Sequence, residues 1–390
     1  MISTKEKEDT TREKQILKEA IANALSQGQS FSLWKTPGIN QKHLVVCHTL
    51  QEVEEFVLED GASGFAFASF TPHGKKYFFP ADIHYQFDNE NLTKGPQSET
   101  VQKDKLHVNA NQKRLTFHQL TKPTNQQIEY VDLVRKGLDE ISVGKFEKVV
   151  PSRFKDIAIT AEYDLLNAFD TLCENHPQAM VSLVSSPQTG TWVGATPELL
   201  VSINHQNIFK TIALAGTQPY SPEIDLKSVA WTQKEIEEQA LVCRYIINCF
   251  KKIRLREYEE HGPRTTIAGN VMHLKTIYEV DMLATNFPQL GSVMLKLLHP
   301  TSAVCGMPFE NAYSFLINNE GYNREFYSGF LGPIQINNDS QIFVNLRCMQ
   351  VFDESVRLYA GAGITIDSNP QKELEETEMK MLNLQNLLIE

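Results

Sequence analysis

Three ionisable residues near the end of the chain are spaced so that their side chains lie close together on a helix. Glu373, Glu376 and Lys380 stand at i, i+3 and i+7, and residues three or four apart are neighbours on a helical surface. Gly361 and Gly363 precede them, and glycines let backbone N–H groups approach a ligand closely. Two carboxylates and an ammonium group beside such a loop could bind a cation and an anionic ligand together. The alternative is a solvated acidic run, which a helix N-terminus favours.

A third carboxylate, Glu238, lies in a different helical segment at residues 234–242. Taken singly, it is typical of a surface glutamate. Together with Glu373 and Glu376 it would form a set of oxygen ligands without histidine or cysteine. Mg²⁺ suits such a set, because it keeps several waters and shares few carboxylates with an anionic substrate.

Lys148 and Glu198 are ionisable residues within apolar strand sequences, FEKVVPSR and WVGATPELL. Burial near a cation favours the neutral amine, so Lys148 could act as a base. Apolar neighbours raise the pKa of a carboxyl group, so Glu198 could hold a proton and act as an acid. The competing interpretation places Lys148 on the solvated face of a sheet.

His273 and Arg347 also lie in apolar, strand-like sequences, VMHL and VNLRC. His273 is either a core histidine with satisfied nitrogens or a neutral hydrogen-bond donor to a substrate oxygen. Arg347 is predicted to have an anionic partner, since a guanidinium among apolar residues needs one. That partner is either a substrate carboxylate or a carboxylate of a structural salt bridge.

The last helix of the chain has the clearest start signal. Ser368 or Asn369 is predicted to cap it, with Pro370 at its first position. Its apolar residues recur at helical spacing and predict a buried stripe that runs to about residue 388. These residues are Leu374, Met381, Leu384 and Leu388.

The remaining elements are mixed helices and strands. Apolar periodicity predicts helices that end near Gly28 and Gly144 and a third over residues 235–251. Strands are predicted at residues 64–70, 76–79, 147–150, 180–184, 192–194, 199–203, 209–215, 271–274, 343–348 and 356–360. Residues 85–125 are polar and are predicted to form a surface excursion. Since strands and helices do not alternate strictly, an α+β architecture with large sheets is expected.

The composition is that of an ordinary globular chain with a net charge of −11. No basic stripe occurs, so nucleic acid is not expected as a partner. The six cysteines form no C-x-x-C pair and suit reduced, buried thiols. No apolar run approaches the roughly 18 residues of a membrane span. A cytoplasmic protein without a membrane partner is therefore expected.

The candidate residues fall within an ordered series of segments. The series is KVVPSR (148–153), GATPELL (194–200), ALAGT (213–217), KEIEEQALV (234–242), HPTSAVCG (299–306), NLRC (345–348), RLYAGAGI (357–364) and KELEETEMK (372–380). It resembles the chorismate-utilising enzymes, the family of isochorismate synthase, anthranilate synthase large chain, aminodeoxychorismate synthase and salicylate synthase. The resemblance is strong over residues 125–390, interpreted as the catalytic region. It is weak over residues 1–124, interpreted as the N-terminal part of the fold.

The resemblance implies one large domain with two large stacked β-sheets flanked by helices, and a Mg²⁺-dependent site for chorismate between the sheets. It implies that Glu238 and Glu376 hold the metal, with Glu373 close to it, directly or through water. The other substrate-binding residues that it implies are Thr217, His273, Arg347, Lys380 and the backbone amides of Gly361 and Gly363.

The choice within the family depends on three positions. The amine-transferring members resemble each other in having glutamine where this chain has Lys148, and Ala215 stands where aminodeoxychorismate synthases tend to have a lysine. Ala303 resembles the isochorismate synthases, whereas salicylate synthases tend to have threonine. We therefore expect an isochorismate synthase. In it Lys148 activates a water that attacks C2 of chorismate, and Glu198 protonates the C4 hydroxyl as it leaves.

Three alternatives stay open. One is a salicylate synthase, which would also eliminate pyruvate. Another is an amine-transferring anthranilate or aminodeoxychorismate synthase subunit that binds a glutaminase, and the third is a catalytically silent chorismate-binding protein. The expected enzyme needs no glutaminase subunit and is expected to be a monomer. Its product could enter menaquinone, siderophore or salicylate synthesis.

Overall fold

A computed structural model describes residues 4–88, 91–94, 115–124, 127–160, 162–268 and 271–388. Within these ranges the helices are α1 Thr4–Ser26, α2 Tyr130–Ser142, α3 Leu165–Asn175, α4 Gln233–Lys252, α5 Leu290–Leu298, α6 Phe309–Asn319 and α7 Pro370–Gln385. A 3₁₀ turn, Asn386–Leu388, follows α7. No helix in the described part of the chain is both long enough and apolar enough to cross a membrane.

Most strands are short, and neighbouring strands pair in antiparallel orientation. Their bounds are β1 Ser30–Lys35, β2 Lys42–Cys47, β3 Gln51–Glu52, β4 Gly64–Ala68, β5 Lys76–Pro80, β6 Ile83–Asp88, β7 Asn91–Lys94, β8 Lys148–Val149, β9 Ser152–Ala158, β10 Met180–Ser186, β11 Gly190–Thr196, β12 Leu199–Ile203, β13 Ile208–Pro219, β14 Glu259–Ala268, β15 Val271–Asp281, β16 Gly306–Met307, β17 Phe330–Ile334, β18 Ser340–Val344, β19 Cys348–Val351 and β20 Ser355–Gly361.

Two nine-stranded sheets dominate the architecture. The first has the order β7-β6-β2-β1-β10-β11-β19-β20-β9, and the second has the order β14-β15-β13-β12-β18-β17-β4-β5-β3. A small third sheet pairs β16 with β8. Strands near the N-terminus pair directly with strands far along the chain, as β1 does with β10 and β4 with β17. The predicted fold, two large stacked sheets flanked by helices, is confirmed.

Three apolar layers hold the sheets and helices together. Helices α1, α3 and α7 bury residues such as Ile21, Phe169 and Met381 against the outer face of the first sheet. Helices α2, α4, α5 and α6 cover the outer face of the second sheet. Aromatic residues, among them Trp34 and Trp192, fill the space between the two sheets. The alternation of side chains along a strand explains this division, because successive residues point to opposite faces.

Parts of residues 85–125 are strands, contrary to the predicted surface excursion. Strands β6 and β7 form one edge of the first sheet, and Leu115 and Phe117 pack against the apolar layer on its outer face. An edge strand that is half solvated has many polar residues, so its sequence looks like that of a loop. Residues 89–90 and 95–114 lie outside the described ranges.

Several strands differ in extent from their predictions, and two of these differences are large. Strand β15 continues from Val271 to Asp281, well beyond the short segment expected at residues 271–274. It pairs with β13 on one side and β14 on the other, and this pairing sustains an extended backbone through its charged residues. The predicted strand at residues 343–348 is in fact two strands, since β18 ends at Val344 and β19 begins at Cys348.

Candidate active site

Most of the residues singled out in the sequence line one cavity, whose atom-free space of about 740 Å³ includes open solvent. Eight of them form part of its wall: Glu198, Thr217, Glu238, His273, Arg347, Gly361, Gly363 and Lys380. Lys148, Glu373 and Glu376 are not part of that wall. Each of these three forms a salt bridge: Lys148 with Glu238, Glu373 with Lys234, and Glu376 with Lys380.

Lys148 is fully buried and forms a salt bridge with Glu238. Its Nζ donates to Oε1 of Glu238 over 2.9 Å. Lys148 lies on β8, whereas Glu238 lies two turns into α4, a helix that begins with a capping box between Thr232 and Glu235. Burial raises the pKa of Glu238, but Lys148, Lys380 and Lys234 together outweigh burial and leave that pKa below its usual value. The solvated position considered for Lys148 is therefore wrong.

Gly363 lies directly against this salt bridge. A Cβ added at Gly363 would be 2.5 Å from Oε1 of Glu238 and 3.0 Å from Cε of Lys148. Side-chain atoms do not tolerate such contacts, so only glycine leaves room for the pair in its present position. The glycine-rich segment after β20 therefore determines where the lysine and the glutamate can lie.

Helix α7 brings in the other two carboxylates. Asn369 caps the helix through its side chain and Pro370 is its first residue, as predicted. One turn apart, Glu376 and Lys380 form a salt bridge of 2.7 Å, and the amine of Lys380 also donates to the carbonyl of Gly361 over 2.9 Å. Lys380 is thus held between its own helix and the end of β20.

Glu373 is almost completely buried, with 1% of its side chain exposed. Lys234, from the first turn of α4, donates to Oε1 of Glu373 over 2.6 Å. Burial raises the pKa of Glu373, and the negative charge of Glu376 adds to that effect. The acidic residues of α7 are therefore not a uniformly solvated run.

Glu198 is buried at the start of β12, where the backbone N–H of Val344 donates to its carbonyl over 2.9 Å. Burial raises the pKa of its carboxyl group to about 7, although the positive charges of Lys148, Lys380 and Arg347 act in the opposite direction. A carboxylic acid with this pKa can hold a proton near neutral pH and release it in a reaction.

His273 has both ring nitrogens engaged. Nδ1 donates to the carbonyl of Gly216 over 2.7 Å, and Nε2 accepts from Arg347 Nη2 over 3.0 Å. Burial, followed by the charge of Arg347, lowers the pKa of His273 to about 3, so the ring is neutral. A neutral ring in this arrangement has no N–H left for a ligand. In this structure His273 contacts Arg347 directly and can orient its guanidinium, and the predicted donor role toward a substrate oxygen stays a prediction. Thr217 Oγ1 lies 3.4 Å from Nδ1.

Arg347 lies in the break between β18 and β19 rather than within a strand. Its backbone has a φ of +47°, a left-handed conformation that non-glycine residues rarely adopt and that is concentrated at functional sites. Burial lowers the pKa of its guanidinium to about 10. The residue at this turn forms part of the cavity wall.

The carboxylates of Glu373, Glu238 and Glu376 fit a magnesium site because one of their oxygens is buried without a hydrogen-bond partner among the described residues. Oε2 of Glu373 is buried and has no hydrogen-bond partner among the described residues, and an unpaired buried carboxylate oxygen is costly unless a cation binds it. Glu238 and Glu376 supply two further oxygen ligands of the type that Mg²⁺ prefers. In the described part of the chain, three ligand atoms already lie within 4.8 Å of one another only at exposed Glu259 and His261 and half-buried Glu279. The three predicted ligands would therefore have to move together around an ion.

Two residues in contact with the site were not found from the sequence. Tyr130, on α2, accepts from the N–H of Ala362 and donates to the carbonyl of Pro151, both over 3.1 Å. Lys234 stands four residues before Glu238 on the same helix, so its spacing was a usable signal. No local pattern marks Tyr130, because its contacts depend on how α2 packs against the end of β20.

The fold and the site together define a chorismate-utilising enzyme. The chain belongs to the chorismate-binding enzyme family, whose model matches residues 70–389. This match includes every residue proposed above for the site.

The curated relatives include enzymes of two activities. Vibriobactin-specific isochorismate synthase of Vibrio cholerae is 29% identical over 268 residues, which cover 67% of this chain and 66% of that protein. Isochorismate synthase DhbC of Bacillus subtilis is 29% identical over 277 residues, 68% of each chain. Anthranilate synthase component 1 of Saccharolobus solfataricus is 26% identical over 272 residues, 66% of this chain and 62% of that protein. The match therefore spans about two thirds of the relatives' length.

Solved structures share the fold over most of the chain. MenF, the menaquinone-specific isochorismate synthase of Escherichia coli, has a TM-score of 0.71 at 20% identity and covers 93% of this chain and 89% of its own. Anthranilate synthase component I of Streptococcus pneumoniae has a TM-score of 0.64 at 19% identity, with coverages of 91% and 89%. At these identities the likeness establishes the architecture alone.

Proposed function

We propose that this chain is an isochorismate synthase, which converts chorismate to isochorismate in a Mg²⁺-dependent reaction. The observation that carries the proposal is the contrast between two buried ionisable groups, the amine of Lys148 beside Glu238 and the carboxyl group of Glu198 with its pKa near 7. A base and an acid whose environments differ in this way suit a reaction that removes one proton and supplies another. The isochorismate synthases among the relatives agree with this choice.

The reaction requires one proton transfer at each end of a shifted double bond. Lys148 would first have to release the proton of its salt-bridged ammonium form, and the neutral amine would then take a proton from the water whose oxygen bonds to C2 of chorismate. The ring double bonds shift, and the C4 hydroxyl leaves as water with the proton that Glu198 supplies. Each residue ends in the other protonation state, so the same pair can run the reaction in reverse.

The other charged residues would bind the substrate's carboxylates. Glu238 and Glu376, with Glu373 close by, would hold Mg²⁺, which when bound supplies positive charge for the ring carboxylate of chorismate. Arg347, oriented by His273, and Lys380 would bind the enolpyruvyl carboxylate. Thr217 and the backbone amides of Gly361 and Gly363 would also bind the substrate's carboxylates. Apolar residues of the cavity wall, Val150, Leu214, Val304 and Leu346, would exclude bulk water.

Two other activities are the nearest competitors. A salicylate synthase would form isochorismate and then release pyruvate, whereas an anthranilate synthase would transfer an amine. Because an anthranilate synthase component 1 is among the similar proteins, amine transfer is the competing activity that most needs to be tested. We propose that the chain acts as a cytoplasmic monomer. It would need no glutaminase subunit, since Lys148 serves to activate water and no amine is transferred. The product would be available to menaquinone or siderophore synthesis alike.

The test is an incubation of the purified protein with chorismate and Mg²⁺, followed by chromatographic separation of the products. Isochorismate without pyruvate is expected. Salicylate with stoichiometric pyruvate would move the assignment to a salicylate synthase, and anthranilate formed with added ammonia would reject both. The Lys148→Gln variant, prepared in parallel, controls for contaminating enzyme, because it should form product about 10²–10⁴-fold more slowly.

A further inference from the structure

Lys234 contacts the site through a single carboxylate. Its amine donates to Oε1 of Glu373 over 2.6 Å, and the two residues are 139 positions apart in the sequence. The side chain of Lys234 is 28% exposed, whereas that of Glu373 is 1% exposed. Lys234 is not part of the cavity wall.

The two oxygens of Glu373 have different surroundings. Oε1 is held by Lys234, whereas Oε2 is buried without a hydrogen-bond partner among the described residues. The hydroxyl of Ser368 lies close enough to influence the same carboxylate, but it does not reach Oε2 with hydrogen-bond geometry. One oxygen is therefore anchored and the other is available.

The contact also joins the two helices that carry all three carboxylates. Lys234 stands one turn before Glu238 on α4, and Glu373 stands one turn before Glu376 on α7. A bond between Lys234 and Glu373 thus restrains how these helices lie with respect to each other at the metal ligands. Carboxylates that bind metals are commonly oriented by hydrogen bonds of this kind, and losing such a partner weakens metal binding about 10–100-fold.

We infer that Lys234 is a positioning residue of the magnesium site, which holds Oε1 of Glu373 so that Oε2 is presented to the ion. This inference rests on the proposed function, because that function assigns Glu373 to the metal. Lys148 and Lys380 also contact carboxylates of the site, but both have proposed tasks with water or substrate. Among the residues that the structure describes, the amine of Lys234 hydrogen-bonds to Glu373 alone.

The experiment measures Mg²⁺ binding to the full chain by calorimetric titration, without chorismate. Lys234→Met keeps the length of the side chain and removes its charge, and Mg²⁺ should bind about 10–100-fold more weakly. Lys372→Met is the matched control, because Lys372 is exposed, lies next to Glu373 on α7 and changes the net charge equally. Its Mg²⁺ affinity should stay close to that of the wild type. Lys234→Arg, which keeps the charge, should recover part of the loss.

A double-mutant cycle separates positioning from a general effect on folding. In a Glu373→Gln background, Lys234→Met should cause no further loss of Mg²⁺ affinity, and a further loss would overturn the inference. Thermal unfolding verifies that each variant is folded, and Mn²⁺, followed by its paramagnetic resonance spectrum, provides a second readout of the bound ion.

Each remaining outcome bears on the inference. Tighter Mg²⁺ binding by Lys234→Met would mean that the lysine competes with the ion, and unchanged binding would mean a purely structural salt bridge. Either result would overturn the positioning role. The titration contains no substrate, so a chain that fails to make isochorismate but shows the expected shift would reject the proposed function alone. Wild-type protein that binds no Mg²⁺ would reject both the metal assignment and the inference.

Discussion

The amine of Lys148 and the carboxylate of Glu238 form a salt bridge of 2.9 Å, and the lysine side chain has no exposed surface. The proposed base thus lies in direct contact with a proposed metal ligand. Removing one member of a buried pair leaves the other charged and uncompensated, which typically costs about 3–5 kcal/mol. Changes at either residue should therefore affect both the chemistry and the stability of the protein.

Lys148→Gln tests the base. We expect kcat for the hydration of chorismate to fall by about 10²–10⁴-fold, because one proton-transfer group is lost. Chorismate binding, measured separately by fluorescence or calorimetry, should be largely retained. Lys155→Gln is the control, since Lys155 contacts the partly exposed Glu378 on the surface. A near-normal kcat for Lys148→Gln would contradict the mechanism.

Glu198→Gln tests the acid and should lower kcat by a similar factor of about 10²–10⁴. The double variant with Lys148→Gln should be little slower than either single variant, because both groups act in one concerted step. Steady-state rates of the three variants provide the comparison. Losses that multiply in the double variant would mean that the two residues act independently.

Glu198 should also give stability a specific pH dependence. Its pKa is about 7 in the folded protein, above the ordinary value of 4.5, so the folded state binds this proton more tightly than the unfolded state does. Its contribution to the free energy of unfolding is therefore complete below about pH 4.5 and is lost as the pH rises through about 7.

The Glu198→Gln variant removes this titration. Relative to the wild type, it should gain about 1–3 kcal/mol in unfolding free energy between pH 5 and pH 8. Urea unfolding at the two pH values measures the difference, and Glu354→Gln, at an exposed position, is the control. Equal pH dependence in wild type and Glu198→Gln would mean that Glu198 is ionised throughout.

Removal of the metal should abolish activity reversibly. A chelator should stop turnover and added Mg²⁺ should restore it, because the ring carboxylate would otherwise face Glu238 and Glu376 without a cation between them. Glu376→Ala should abolish turnover but change thermal stability little, since its salt bridge with Lys380 is partly exposed. Glu375→Ala, at an exposed neighbouring position, should stay active. Full activity in metal-free buffer would contradict the metal assignment.

Gly363→Ala should impair catalysis because it displaces Lys148 and Glu238 without changing either residue. The added Cβ would lie 2.5 Å from Oε1 of Glu238 and 3.0 Å from Cε of Lys148, so the pair must shift. Displacement of catalytic groups by about 1 Å costs on the order of 10²-fold in rate, and a loss of this size in kcat is expected. Circular dichroism would verify folding. Wild-type kcat in this variant would mean that the pair tolerates the displacement.

Local features of the site could be predicted from the sequence. The start of α7 at Asn369 and Pro370 was predicted correctly, because capping and proline preferences depend on a few adjacent residues. The salt bridge between Glu376 and Lys380 also follows from their spacing, since residues four apart are neighbours on any helix. The two large sheets were predicted as well, from the mixed strand and helix patterns and from the resemblance to the family.

Interactions between distant segments were decided by the tertiary structure. Lys148 and Glu238 are 90 residues apart, and Lys234 and Glu373 are 139 residues apart. Which lysine meets which carboxylate depends on the order of strands in the sheets and on where α4 and α7 pack. Arg347 illustrates the same limit, since its apolar neighbours indicated a strand, whereas the backbone turns at that residue. Periodicity determines which face of a helix or strand is buried, but only the tertiary structure determines which residues that face contacts.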